Sequence, residues 1–172
     1  MCKISNQALF VVSIVIVMFF SSLQSASQST SSKPSTKDSV VYINKQYRFR
    51  FYLPKSWKGY STLVEKWEGS LAAKEGEDKP QQPETGPEII IRHPLWTTGD
   101  PRQDIPIMIF TNAQWKLVQN EELTVSAAPI GPGELAHNAQ YVFALPPRYN
   151  YGFETGYEEV DEILKRNSLR PF

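Results

Sequence analysis

The chain has 172 residues, with 18 basic and 18 acidic side chains, a formal net charge of zero and one cysteine, Cys2. That balance gives no bias towards nucleic acid or an acidic substrate, and a lone cysteine excludes an internal disulfide. Thirteen prolines against nine glycines, with 12% aromatic residues, point to a strand-rich protein with stiff connections.

Lys3 precedes an apolar run of 13 residues, Ala8 to Phe20, which gives way to the small and polar residues Ser21 to Ser27. A positive start, a short apolar stretch and a small-residue exit make residues 1–26 a secretory signal peptide, with cleavage near Ala26. The run is shorter than the roughly 20 residues that span a bilayer, so removal is expected and no stable membrane span remains afterwards. Cys2 lies ahead of the apolar run, whereas a lipoprotein cysteine follows it, so a lipid anchor is not expected. An exported location is expected, periplasmic, wall-associated or secreted. Residues 27–39 are Ser/Thr-rich and read as a disordered linker, leaving 40–172 as a single domain.

Val40 to Ile43 forms a short strand, and Asn44-Lys45-Gln46 turns the chain into a second. There Tyr47, Phe49, Phe51 and Leu53 alternate with Arg48, Arg50 and Tyr52, a period-2 pattern with one buried face. Pro54 cannot donate to a ladder, so the strand stops there and Lys55-Ser56-Trp57 makes a turn whose Trp closes the core. Tyr60 to Trp67 reads as a third strand with Leu63, Glu65 and Trp67 on one face. Glu68 to Gly86 is strongly polar and reads as a long exposed loop, because so little apolar material cannot offset the entropy of ordering it. Pro87 to His93, with Ile89-Ile90-Ile91, is a central-strand signal.

His93 to Asp104 is a second long connection, aromatic and stiffened by proline. Ile105 to Phe110 is a strand or the start of a helix, and Pro106 argues against a deep strand position. Thr111 or Asn112 caps a helix over Ala113 to Asn120 that turns Trp115, Val118, Gln114 and Leu117 towards the core. Leu123 to Ala128 and Ala139 to Leu145 read as the last strands. In the closing segment Tyr157, Val160, Ile163 and Leu164 fall on one helical stripe, Thr155 is a candidate N-cap, and Lys165 and Arg166 sit at the C-terminal end. The expected fold is α+β: a single domain, a mainly antiparallel sheet, and flanking helices including a C-terminal amphipathic helix.

The pattern Asn44-x-x-Tyr47-x-Phe49-x-Phe51-x-Leu53-Pro54-x-Ser56-Trp57-Lys58-Gly59-Tyr60, with the closing Ile163-Leu164, resembles exported bacterial proteins of unknown function. These are in turn distantly similar to the PsbP-like group, although Arg48 stands where that group's opening often has glycine. His93-Pro94-x-Trp96, Gln103-Asp104-Ile105-Pro106 and Ala128-Pro129-Ile130 look like further signatures of the closer set. PsbP-like proteins are mostly binding or assembly modules, so the resemblance implies an antiparallel sheet flanked by helices and lowers the expectation of catalysis.

No Gly-x-Ser-x-Gly elbow, His-Glu-x-x-His helix or phosphate-cradling glycine loop occurs in the chain. Glu134 and His137, three residues apart, would share a face on a helical turn and are weak metal candidates, though Gly133 and Asn138 favour a surface turn. His93 with Asp100 and Asp104 offers an imidazole and carboxylates in one loop, beside Arg92 and Arg102, without a nucleophile. The favoured reading there is that Asp100 and Asp104 fix the turn while His93 packs beside Pro94. A third candidate is a binding surface of His93, Trp96, Asp100, Arg102 and Asp104 in one loop and Arg148, Tyr149 and Tyr151 in another, since aromatic and Arg residues on loops supply interface energy. For Trp96, Tyr149 and Phe153 themselves, cover for the ends of the core is the favoured reading over partner contact.

The expectation is therefore an exported non-enzymatic binding or assembly module, using no cofactor, with an envelope protein as candidate partner and no nucleic acid. The alternative is a hydrolase or metal-dependent enzyme using His93, Asp104, Glu134 and His137.

Overall fold

In the computed structural model the described residues are 39–73, 82–127 and 130–172. The predicted signal peptide and nearly all of the linker lie outside them. Strands β1 (Ser39–Asn44) and β2 (Phe49–Pro54) form the first hairpin, in register from Ser39 opposite Pro54 to Asn44 opposite Phe49. Asn44 Oδ1 accepts the Tyr47 N–H at 2.9 Å and Arg48 adopts φ +60°. Tyr47 and Arg48 therefore belong to the turn, and β2 begins two residues later than the alternation suggests. The predicted face is otherwise as expected: Phe49, Phe51 and Leu53 are buried, and a 3-10 turn at Lys55–Trp57 buries Trp57.

β3 (Ser61–Leu71) and β4 (Glu84–Arg92) make a long hairpin, paired from Ser61 opposite Arg92 to Gly69 opposite Glu84. This corrects the expected loop at Glu68 to Gly86, since residues 68–71 and 84–86 are strand. Cross-strand backbone bonds satisfy the polar main chain, so side chains such as Glu68 and Ser70 project outward at no cost. Of the remainder of that loop, residues 74–81 lie outside the described residues.

β5 (Ile105–Thr111) is a strand, between β4 and β8 (Tyr141–Leu145). β8 pairs with β5 only from Met108 onward, so Pro106 sits where β5 has a strand neighbour on one side alone. The first helix, α1 (Asn112–Gln119), is capped by Thr111: its hydroxyl accepts the Gln114 N–H while the Gln114 side chain accepts the Thr111 N–H, a reciprocal capping box. Trp115 is buried and Leu117 and Val118 are half-buried, whereas Gln114 instead donates to Glu84 and to the Thr85 carbonyl.

β6 (Leu123–Thr124) is shorter than expected, and β7 (Gly133–His137) occupies residues read from the sequence as a turn. α2 (Tyr157–Lys165) starts from Gly156 at φ +87° and not from a Thr155 cap, and β9 (Leu169–Pro171) closes the described chain.

The strands form two antiparallel sheets, ordered β1-β2-β9 and β6-β3-β4-β5-β8-β7. The fold is α+β, mostly antiparallel sheet with two helices, and the six-stranded sheet is curled. β5 is buried on both faces. Ile105, Ile107 and Ile109 meet β2, β9 and α2 through Phe49, Phe51, Leu169 and Val160, while Met108 and Phe110 meet α1 and β3 through Trp115 and Trp67. Each fully buried side chain of this size contributes about 1.5–3 kcal/mol. β5 is thus the rigid centre from which the connecting loops project.

Candidate functional site

The connection between β4 and β5 is built from short local bonds. The Trp96 N–H donates to the His93 carbonyl at 3.0 Å and the Leu95 N–H to His93 Nδ1 at 3.1 Å. Thr97 and Asp100 then exchange both backbone bonds at 3.2 Å, and the Asp100 N–H also reaches Thr97 Oγ1 at 2.9 Å. Asp100 thus contributes to the turn through its backbone.

Asp104 anchors the loop's far end. Its carboxylate accepts from Arg92 Nη2 at 2.7 Å and from Nε at 3.1 Å, and the same guanidinium lies 3.8 Å from the centre of the Trp96 ring. Trp96 is held from below by an arginine that is itself clamped in two-pronged fashion. Leu95 beside it is 61% exposed.

His93 is buried, and its ring meets Trp57 edge-to-face with centroids 4.9 Å apart. Burial pushes its pKa below the ordinary 6.5, the Arg102 guanidinium adds to that push, and Glu159 opposes it. With Nδ1 accepting the Leu95 N–H, the ring is neutral with its proton on Nε2. Arg102 Nε is buried with no hydrogen-bond partner among the described residues, and the Arg102 backbone bridges Thr155 just ahead of α2.

Gln103 joins the two loops that the sequence singled out. This buried side chain donates to the Tyr149 carbonyl at 3.1 Å and to the Asp104 carbonyl at 3.0 Å, while its N–H donates to the Thr155 carbonyl at 3.0 Å. Tyr149 in turn donates its hydroxyl to Asp161 of α2, which also accepts from Asn150 Nδ2 at 3.1 Å. Burial, reinforced by the Asp161 carboxylate, pushes the Tyr149 hydroxyl far above its ordinary pKa, so it stays a donor.

Beyond this anchor the chain presents aromatic side chains to solvent. Tyr151 is 69% and Phe153 65% exposed, with Arg148 5.3 Å from the Tyr151 ring centre and Phe153 edge-on to Tyr157. Arg148 and Phe153 both hold positive φ, +56° and +48°, a backbone region costly for a side chain of their size.

The other predicted residues lie elsewhere. Glu134 and His137 lie on strand β7, not on a helical or surface turn. An irregularity in the β7–β8 register between Glu134 and Ala136 brings His137 Nδ1 to 2.7 Å from Glu134 Oε1. The His137 side chain is 70% exposed, and among the described residues no group of three or more His, Cys, Asp or Glu converges as a metal site. His93 follows the end of β4 whose neighbour on β5 is Ile105, whereas His137 is level with Phe110, and about 17 Å of strand separates those two levels. The sheet therefore does not assemble His93, Asp104, Glu134 and His137 into one centre.

Two clefts among the described residues are lined by neither Trp96 nor Tyr151, though Pro147 of the larger one adjoins Arg148. One of about 170 Å³ lies between Phe51, Glu134 and Leu164, and one of about 460 Å³ between Val118, Glu121, Val125 and Pro147. Sequence reasoning missed Arg92 as the support of Trp96, and gave no role to Gln103, Asn150, Asp161 or Glu159. Nothing local marks these polar residues, whose partners are mostly distant in sequence. Comparison with protein-family models, with curated proteins and with solved structures finds no match to this chain.

Proposed function

We propose that the chain is an exported, non-enzymatic binding or assembly module whose partner surface is formed by the 93–104 and 148–155 segments. The observation that carries this reading is the Gln103 junction, which ties both segments to one support and leaves Leu95, Tyr151 and Phe153 turned to solvent. Rigid loops bearing exposed aromatic and Arg side chains supply interface energy at low entropic cost. Strained positive-φ positions at Arg148 and Phe153 fit the same reading, because such strain concentrates at ligand clamps.

A location outside the cytoplasm, with an envelope protein as partner, rests on the signal-peptide pattern of residues 1–26 and belongs to the same proposal, as does the distant kinship with PsbP-like proteins. The apolar stripe of α2 then serves to anchor the support, with Val160 and Ile163 in the core. Among the described residues no helix is long and apolar enough to cross a membrane.

The test is affinity capture from an envelope extract, comparing the wild type with Trp96→Ala and with the pair Tyr151→Ala, Phe153→Ala. A specific partner retained by the wild type and lost by both variants is the expected result. A partner retained equally by all three, or none at all, counts against this surface.

A further inference from the structure

His93 sits at the root of the turn that carries Trp96, and its ring has two duties. It packs edge-on against Trp57 of the 3-10 turn, and its Nδ1 is the acceptor for the Leu95 N–H. The neutral ring already carries a proton on Nε2, so a second proton can bind only at Nδ1. There it would replace an acceptor by a donor facing another donor, and the Leu95 N–H would lose its partner.

The charges around the ring come from three elements. Arg102, on the segment leading into β5, disfavours a cation at His93, whereas Glu159 of α2 favours one. The Glu159 carboxylate is already engaged by the Ser56 hydroxyl of the 3-10 turn at 2.6 Å. Arg92, the preceding residue, is paired with Asp104. Trp57 brings no charge.

We propose that His93 is an acid-operated latch: a proton taken from solvent at Nδ1 releases the Leu95 amide, opens the His93–Trp96 turn and withdraws the Trp96 surface. The consequence for binding rests on the partner-surface reading above, and the opening of the turn does not. Because burial and Arg102 hold His93 below 6.5, the latch is shut at neutral pH and opens only as the pH falls below that value.

The test is an NMR titration of the isotope-labelled protein from about pH 7.5 to 4.5, following the His93 ring and the Leu95 amide. Both are expected to move together with a midpoint below 6.5, and the Leu95 amide to lose its exchange protection on the acid side. His93→Asn keeps an acceptor for the amide two residues on and cannot titrate, so in that variant Leu95 stays protected throughout. A ring midpoint at or above 6.5, or a Leu95 amide that stays still while the ring titrates, overturns the latch. The wild-type titration alone reads both outcomes, so it decides for or against the latch even where the variant fails to fold. Capture that is lost in acid by the wild type and kept by His93→Asn ties the latch to the surface. Capture absent at every pH sinks the surface reading and leaves the amide titration to judge the latch.

Discussion

The indole of Trp67 lies across the backbone of Gly86, its cross-strand partner, in the space a side chain there would need. A Cβ on Gly86 would come within 2.5 Å of Trp67 Cε2 and Cζ2. The ring is pinned, because Nε1 donates to the Ile109 carbonyl at 3.0 Å and its face stacks on Phe110. Gly86→Ala should therefore destabilise the protein by about 1–3 kcal/mol through overpacking. That is a fall in Tm of about 2–4 °C per kcal/mol, and an unchanged Tm would show that the indole is free to shift.

Glu88 faces Glu65 directly across the β3–β4 pair, and burial together with the Glu65 charge raises its pKa above 4.5. A carboxyl whose folded pKa is raised weakens the fold while ionised, and protonation relieves it. Glu88→Gln should thus stabilise by about 0.2–1 kcal/mol at neutral pH. The gain should shrink as the pH falls through the folded pKa and vanish below 4.5, which urea denaturation across that range would read. A gain that persists in acid would assign it to something other than charge.

Tyr149 and Asp161 link the 148–155 segment to α2. Tyr149→Phe removes the hydroxyl and leaves the carboxylate, among the described residues, with the Asn150 bond, at a cost of about 1.5–3 kcal/mol for a bond to a charged group. Hydrogen exchange should accelerate first at the Tyr151 and Phe153 amides, whose turn bonds depend on that anchor. Global loosening with no local preference would contradict the anchoring role.

Arg92 acts on Trp96 through geometry as well as charge, so lysine is a poor replacement. Arg92→Lys keeps the charge and gives up the two-pronged bond to Asp104 and the stacking under the indole. The pair is partly exposed and screened, so the expected cost is about 1 kcal/mol. Against a Trp96→Phe background, the tryptophan emission of the wild type should contain a component that shifts to the red in Arg92→Lys. No shift would mean that Trp96 is positioned by other contacts.

Much of the β1 to β5 half was legible in the sequence, because its signals are local. The alternation Phe49, Phe51, Leu53, the proline stop, the buried Trp57, the face shared by Leu63 and Trp67, and the Thr111 cap each depend on residues within a few positions of one another. The ends of β3 and β4 were illegible because polar side chains say nothing about backbone bonding to a partner strand. β7 was hidden for a related reason: Gly133 and Asn138 imitate a turn, and the β8 ladder overrides them.

At the candidate site, residue type pointed to both loops and to Trp96, Asp104 and Tyr149, yet not to how they meet. Gln103 and Asp161 are ordinary polar residues until the fold brings the Tyr149 carbonyl and hydroxyl to them.

By itself the sequence determined the absence of an internal disulfide, the α+β class with its antiparallel hairpins, and the two loops rich in aromatic and arginine residues, since composition, periodicity and turn chemistry are properties of near neighbours. Only the tertiary structure decided that β9 returns to β2, that His93 and His137 are kept apart by the length of β5, and that Gln103 joins the two loops. Those outcomes follow from hydrogen bonds closed across tens of residues. A polar side chain makes such a bond wherever the packed core sets it down, so its partner is written in the fold and not beside it in the chain.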